Sequence, residues 1–598
     1  MRVLNRPKRI PMLITLVMVT ALVLPLTVSA LRSQAAYAAG QTLASTSNNH
    51  PLCSKIGKSI WASSAVRMWC TPPQPGSSSN IKTLSTRSFG SNVNAADPAE
   101  DISPSGVRGY GQSETSIAAV GPYVVEAWND VTGLALNLPC PSLLNKQEGT
   151  GYGFSADGGN SFVDEGSLPN ARCTDHKLSG DPSVEAWTSG GSAYFYVSSL
   201  YFPISSASGP PTDARSLIAI NACKANGEGA TASIQCSQPI IAAASTQCQT
   251  LQGSAFCSFL DKEYLSIDPK RGRLYVSYTE FGIKTPPDNL AFGQIELAAC
   301  DIGTLDGGTG PIGGTAGSPV CKPGGVGTPD HPASPYFAVA SGSTCENQGS
   351  YPAVDVATGD VYVAYEFNLG TDVFVPGCNS IPTQNVVAHA TFSCLTLPAP
   401  ACSGPVTSNA VNIVTMFATV IPGYSRFPLQ DFPRIAVSDP AGTVSIVWND
   451  GGIHPLGDIL LQSFTLGGLT PVQSAPVRVN THASGGLHFL PGLRNTNPDG
   501  TLNISWYERG SPTTTLTSVV AALNVDPLTT STPDSNVLMT TVATDWLKVT
   551  AFPLFPNFGD YTDNYVIATS SGSYTGKKLY VAWSDGRTGV PQPFEAHR

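Results

Sequence analysis

The chain has 598 residues, too many for one compact core, so it needs several domains or a repeat that adds core unit by unit. Its 58 glycines and 49 prolines, with only 12% charged residues, suit short strands joined by many turns and exclude a fold of long, salt-bridged helices. A net charge of −10 argues against nucleic acid or anionic lipid as a partner.

In chain order, the basic opening MRVLNRPKR leads into an almost continuously apolar stretch from Ile10 to Ala30, the layout of an export signal. Small residues at Ala36 and Ala38 offer a cleavage site that defines a signal peptide over residues 1–38, with Val28 and Ala30 as an earlier cut and an uncleaved anchor as the alternative. Cleavage removes Arg2, Arg6, Lys8, Arg9 and Arg32 and takes the net charge from −10 to −15. The expected location is extracellular, and no later segment is apolar for long enough to span a bilayer. Residues 39–105, rich in Ser, Asn, Thr and Pro, read as a flexible lead-in, and residues 106–598 as the folded domain.

The 14 cysteines, an even number in an exported chain, read as disulfides. They fall into close neighbours: Cys53 with Cys70, Cys140 with Cys173, Cys223 with Cys236, Cys248 with Cys257, Cys300 with Cys321, Cys345 with Cys378 and Cys394 with Cys402. No C-x-x-C pair supports a zinc site instead.

One pattern recurs from Ser113, Gly180, Asp261, Gly349, Asp431, His488 and Gly559. A polar or acidic residue precedes a short apolar strand, a turn such as DPKRG, DPAG or NPDG, and a second strand ending in an aromatic and commonly an acid. Further β-like runs follow, among them RSLIAINAC, GQIELAAC, QNVVAHATFSC and GDILLQSF. Two hairpins per unit make a four-stranded antiparallel blade, so the expected fold is an all-β propeller. Seven blades are expected, with six as the alternative if one hairpin belongs to an insertion. After AWSDGR the remaining GVPQPFEAHR suffices for one further strand, so an N-terminal strand is expected to complete the last blade.

Between the first two copies lies SADGGNSF, in which Ser155, Asp157, Gly159, Ser161 and Phe162 fit S-x-D-x-G-x-[ST]-[FW]. This resembles the Asp box of sialidases and related bacterial neuraminidase repeat proteins. NFGDYTDNYVIATSS followed by KKLYVAWSDGR is similar to the terminal blade of sialidase-like proteins, and the resemblance runs from Gly111 to Arg598. It implies a structural turn between outer strands, with Asp157 bonding the turn backbone and Phe162 packing inward. The family's F-R-I-P motif is not present; the nearest string, Phe432-Pro433-Arg434-Ile435, has its order changed.

In such a propeller the starts of the first strands and the ends of the second strands converge on one rim. The starts bring Glu114, Asp181, Glu263, Asp431 and Asp560; the ends bring Asp130, Glu280, Glu366, Asp450, Glu508, Arg509, Asp585 and Arg587. Sialidase chemistry requires arginines for a sugar carboxylate, a tyrosine nucleophile beside a carboxylate, and an acid. The candidates along this rim are Arg434, Arg509 and Arg587 for the first, with Glu263 also contacting substrate, Tyr561 beside Asp560 for the second, and Asp181 or Asp431 for the third, none of them fixed by the sequence. Against this stands a structural explanation: acids repeated in every unit bond backbone amides, and Trp128, Trp448, Trp506 and Trp583 fill space between blades.

No cofactor is required. Clustered carboxylates suggest a structural calcium as a further option, without an assignable ligand set. H-E-x-x-H, G-x-S-x-G and phosphate-loop motifs are lacking. The expected molecule is a secreted monomer that recognises extracellular carbohydrate or glycoprotein, as an exo-glycosidase of sialidase type in its catalytic form. The alternative is a non-catalytic propeller that binds a protein or cell-wall partner. Convergence of the three arginines on one pocket discriminates the two.

Overall fold

The computed structural model describes residues 91–101, 111–135, 147–204, 214–246, 248–251, 254–283, 291–303, 313–321, 337–340, 347–368, 382–395, 407–416, 432–481, 486–511, 514–533, 536–549, 559–571 and 574–598. They form seven antiparallel blades with almost no helix. The innermost strands are Gln112–Val120 in blade 1, Val184–Ser189 in blade 2, Phe259–Asp268 in blade 3, Asn347–Val354 in blade 4, Arg434–Ser438 in blade 5, Leu487–Gly492 in blade 6 and Asp563–Ser571 in blade 7. Each pairs with the second strand of its hairpin, so all seven copies of the sequence pattern are the inner halves of blades.

The ring closes between its ends. Val93–Asn94 pairs with the C-terminal strand Gln592–His597 and supplies the outer strand of blade 7. This closing strand lies within the stretch that composition marks as a lead-in. The signal segment lies outside the described residues.

Apolar side chains alternate along each strand and meet those of the neighbouring blade. The core is therefore a ring of interblade clusters. Blades 2, 3 and 4 share one around Leu274, Tyr275 and Val361; blades 5 and 6 share another around Val447, Ile459 and Trp506. Three disulfides, Cys223–Cys236, Cys248–Cys257 and Cys300–Cys321, link directly opposed cross-strand residues, as their spacing suggests. Cys173 is also disulfide-bonded, and the other expected pairs lie wholly or partly outside the described residues.

Several acids that end second strands have a structural task. Trp448 Nε1 donates to Asp450 at 3.0 Å, Trp506 Nε1 to Glu508 at 3.3 Å and Trp583 Nε1 to Asp585 at 2.9 Å. Asp450 and Asp585 also accept the amides of Gly452 and Arg587 in the following turn. Each of the three thus satisfies a buried indole two residues back, and Asp450 and Asp585 also cap a turn, which explains why aromatic and acid recur together in these blades.

The SADGGNSF turn joins the outer strands of blade 1. Asp157 accepts from the Ser161 amide at 3.0 Å, the Ser161 hydroxyl at 2.6 Å and the Ser155 hydroxyl at 2.8 Å. Phe162 packs on Ala95, Ala96 and Trp128, and Lys578 of blade 7 donates to the Gly158 carbonyl. The turn therefore grips the closing strand at the seam between blades 7 and 1.

Candidate functional site: the channel mouth

An innermost strand has one edge with no partner strand, and its N–H groups need acceptors. Register identifies seven equivalent residues facing this problem: Ser116, Ser183, Tyr264, Tyr351, Arg434, Gly492 and Asp563. In three successive blades the side chain serves the next blade's edge. Asp563 accepts the Ile117 amide at 3.3 Å, the Ser116 hydroxyl the Val184 amide at 3.0 Å, and the Ser183 hydroxyl the Leu265 amide at 3.0 Å.

Arg494 of blade 6 binds this arrangement together. Its Nη1 donates to Asp563 at 2.7 Å and Ser116 at 3.3 Å, its Nη2 to the Ser183 hydroxyl at 3.1 Å and the Leu265 carbonyl at 3.3 Å, and its Nε to Glu185 at 3.2 Å. Tyr565 donates to the other oxygen of Glu185. Burial works against the Arg494 charge, but Tyr264, Asp563 and Glu185 outweigh it and hold its pKa above the ordinary value. One guanidinium from blade 6 thus joins blades 1, 2, 3 and 7.

Arg434 is placed differently. Its guanidinium lies 3.6 Å above the Tyr351 ring centroid, with Tyr561 at 5.7 Å and Tyr264 at 5.9 Å. It is 2% exposed, and its Nε and Nη1 have no hydrogen-bond acceptor among the described residues. Burial lowers its pKa to about 10. Tyr264 and Tyr351 meet edge to face at 4.2 Å, giving a compact aromatic cage around this cation.

Two residues before the ring position, Glu114, Asp181 and Lys262 adopt left-handed backbone with φ of 57°, 54° and 58°. Such conformations are costly for residues other than glycine and persist where the surroundings fix them. In blades 1 and 3 they fall at register shifts in the inner hairpin. Asn129 bridges two of them: its Nδ2 donates to Glu114 at 2.8 Å and Asp181 at 3.3 Å, while its Oδ1 accepts the Asp181 amide. Lys262 Nζ lies 2.5 Å from Asp560 and 3.3 Å from Asp181. Glu114 also accepts the Asp560 amide at 3.1 Å. Burial first, and then the Asp181 carboxylate, raise the Glu114 carboxyl well above its usual range.

The structure thus brings Asp181, Asp560, Tyr561 and Arg434 to one end of the channel. Glu263 is buried and lies in electrostatic reach of Asp181 and Lys262. The Tyr561 hydroxyl donates to the Pro182 carbonyl at 3.0 Å. Burial, followed by Asp181, Glu114 and Glu263, pushes this phenol well away from ionisation. Arg509 instead donates to the Thr514 carbonyl within blade 6. Arg587 pairs with Asp585 at 2.7 Å, donates to Asn92 and Thr541, and stacks on Phe594. Neither shares a described partner with Arg434. Asp431 lies outside the described residues. Among the described residues no cluster of three or more metal-binding side chains is found.

Sequence reasoning missed Lys262, Arg494 and Asn129. Lys262 stands beside the singled-out Glu263, and only the left-handed backbone reveals that the lysine joins the acids. Arg494 follows a hairpin strand and carries no motif; its position, four residues beyond Leu490 in a bulged strand, becomes meaningful only once register is known.

No protein-family model matches the chain, and no curated protein matches it. Among solved structures it is similar to an α-L-arabinofuranosidase of Fusarium graminearum, with 10% identity over 86% of this chain and 98% of that chain, at a TM-score of 0.34. It is also similar to a Trypanosoma rangeli sialidase solved with sialic acid, with 11% identity over 73% of this chain and 55% of that chain, at a TM-score of 0.33. A thermostable family-43 glycoside hydrolase is similar at 12% identity over 62% of this chain and 95% of that chain, with a TM-score of 0.27.

Proposed function

We propose that the chain recognises an acidic sugar of an extracellular glycan at the mouth of its channel. Arg434 carries this proposal: a buried guanidinium that lies on a tyrosine face and has two donor atoms without acceptors. Unmade hydrogen bonds of this kind cost roughly 1–3 kcal/mol each. A planar carboxylate would meet the guanidinium through two parallel bonds and offset that cost. Tyr264, Tyr351 and Tyr561 supply aromatic walls of the sort that line carbohydrate and small-molecule sites.

An exo-glycosidase of sialidase type would use Tyr561 as nucleophile, with Asp560 or Asp181 assisting. One observation favours a second version, recognition without cleavage. The Tyr561 hydroxyl is committed to a backbone carbonyl, and its surroundings oppose the phenolate.

Two assays on the purified mature chain separate these outcomes. Binding to arrays of sialylated, uronic-acid-containing and neutral glycans is expected for the acidic ones alone, and is expected to fall at least tenfold in Arg434→Met. Equal binding by this variant would remove the basis of the proposal. Release of fluorophore from 4-methylumbelliferyl sialic acid, abolished in Tyr561→Phe, would establish the hydrolase; retained binding without release would establish the non-catalytic propeller.

A further inference from the structure

Charges along the axis are unevenly matched. At the level of the ring, Asp563 and Glu185 face Arg494 and Arg434. At the mouth, blade 1 contributes Glu114, blade 2 Asp181, blade 3 Asp261, Lys262 and Glu263, and blade 7 Asp560 and the neutral Tyr561. Blade 4 presents Gly349 and Tyr351 there, blade 5 Arg434 and blade 6 Arg494, while His488 and Arg509 of blade 6 bond the Gly457 and Thr514 carbonyls. Among the described residues, five buried carboxyl groups therefore lie around one buried lysine. That lysine touches Asp181 and Asp560, while Glu114 and Asp181 are bridged by a single neutral amide. Two carboxylates side by side in a buried site do not both stay ionised; one keeps its proton and donates it to the other.

We propose that the folded chain holds a proton between Glu114 and Asp181 at neutral pH, and that its release loosens the mouth where blades 1, 2, 3 and 7 meet. The domain is accordingly built for an acidic medium. Independently of any ligand, the geometry places this carboxyl pair at a junction between blades. Glu114 receives the Asp560 amide on one oxygen and the Asn129 amide on the other, so its carboxyl couples the inner strands of blades 1 and 7 and, through Asn129, that of blade 2. Gly559 packs directly against this side chain, since a Cβ there would lie 2.1 Å from Glu114 Cγ.

The direction of the pH effect follows from linkage. A carboxyl whose pKa is raised by folding from 4.5 contributes fully below that value, and its contribution is lost as pH climbs towards the folded value. Over that interval each such proton changes the folding equilibrium by about tenfold per pH unit. Other buried carboxyls, Glu126 and Glu148 among them, tilt the wild type the same way, so the test is a difference between variants.

The test is urea unfolding of the mature chain from pH 4.5 to 8 for wild type and Glu114→Gln. Wild type is expected to lose stability as pH rises, and Glu114→Gln to lose less, by about tenfold in equilibrium constant per pH unit over the rising part. Asp181→Asn, which also ends the repulsion, is expected to flatten the curve alike and serves if Glu114→Gln does not fold. Lys262→Met is expected to steepen it. Parallel pH curves for wild type and both carboxyl variants, or a wild type that gains stability towards pH 8, would overturn the proposal.

Discussion

Arg434 and Arg494 come from neighbouring blades and lie beside the same tyrosine, yet their surroundings assign them opposite energetic roles. Arg494 has two buried carboxylate partners, and its removal leaves Glu185 and Asp563 charged and uncompensated. Arg494→Met is expected to destabilise the domain by about 3–5 kcal/mol, read as a lower urea midpoint. Arg434 Nε and Nη1 have no acceptor among the described residues, so Arg434→Met removes a desolvated charge and fills the same space with apolar atoms. That variant is expected to match or exceed wild-type stability by up to ~1 kcal/mol in the same titration while losing ligand. A large loss of stability would instead make Arg434 a structural residue. At this scale the sequence was only partly informative. Asp181, Asp560, Tyr561 and Arg434 could be selected because they flank recognisable strands. Glu114 could be placed on the rim for the same reason, whereas Lys262 joins the cluster through left-handed backbone and Arg494 through ring closure, which no local pattern encodes.

The inner hairpin is the element that builds the mouth. Its first strand kinks two residues ahead of the ring position, turning Glu114 and Lys262 out of the regular ladder, and the same register shift recurs at Gly349 and Leu490. Gly180 shows how tightly this is packed. It has φ of 91°, and a Cβ there would lie 2.4 Å from Asn129 Oδ1. Gly180→Ala is therefore expected to displace Asn129 and cost about 1–3 kcal/mol, measured by thermal unfolding, from backbone strain and the bridge lost between Glu114 and Asp181. The hairpins themselves were legible because period-two alternation and turn dipeptides mark them directly. The outer strands were not. Val320–Cys321, Val477–Arg478 and Val537–Leu538 are two residues long, too short to show a period.

At the scale of the whole molecule, seven blades make a ring only if the two ends meet, and the N-terminal strand holds three blades at once. Asn92 donates to the Met539 carbonyl of blade 6, accepts from the Thr541 amide and hydroxyl, and accepts from Arg587 of blade 7. Asn94 donates to Gln592, while Ala95 and Ala96 meet Trp128 and Phe162 of blade 1. A chain beginning at residue 97 keeps every other strand and loses all of these contacts. At about 1 kcal/mol per hydrogen bond it is expected to lose roughly 3–6 kcal/mol and to unfold over a broader urea range than the chain beginning at residue 39. Because the missing piece is a strand added to an exposed edge, a synthetic peptide of residues 91–96 is expected to raise the midpoint of the shortened chain in proportion to the logarithm of its concentration. Equal midpoints for the two chains would mean that packing between blades 7 and 1 closes the ring unaided. A shortened chain that is weakened but indifferent to the peptide would place the loss elsewhere than in strand pairing.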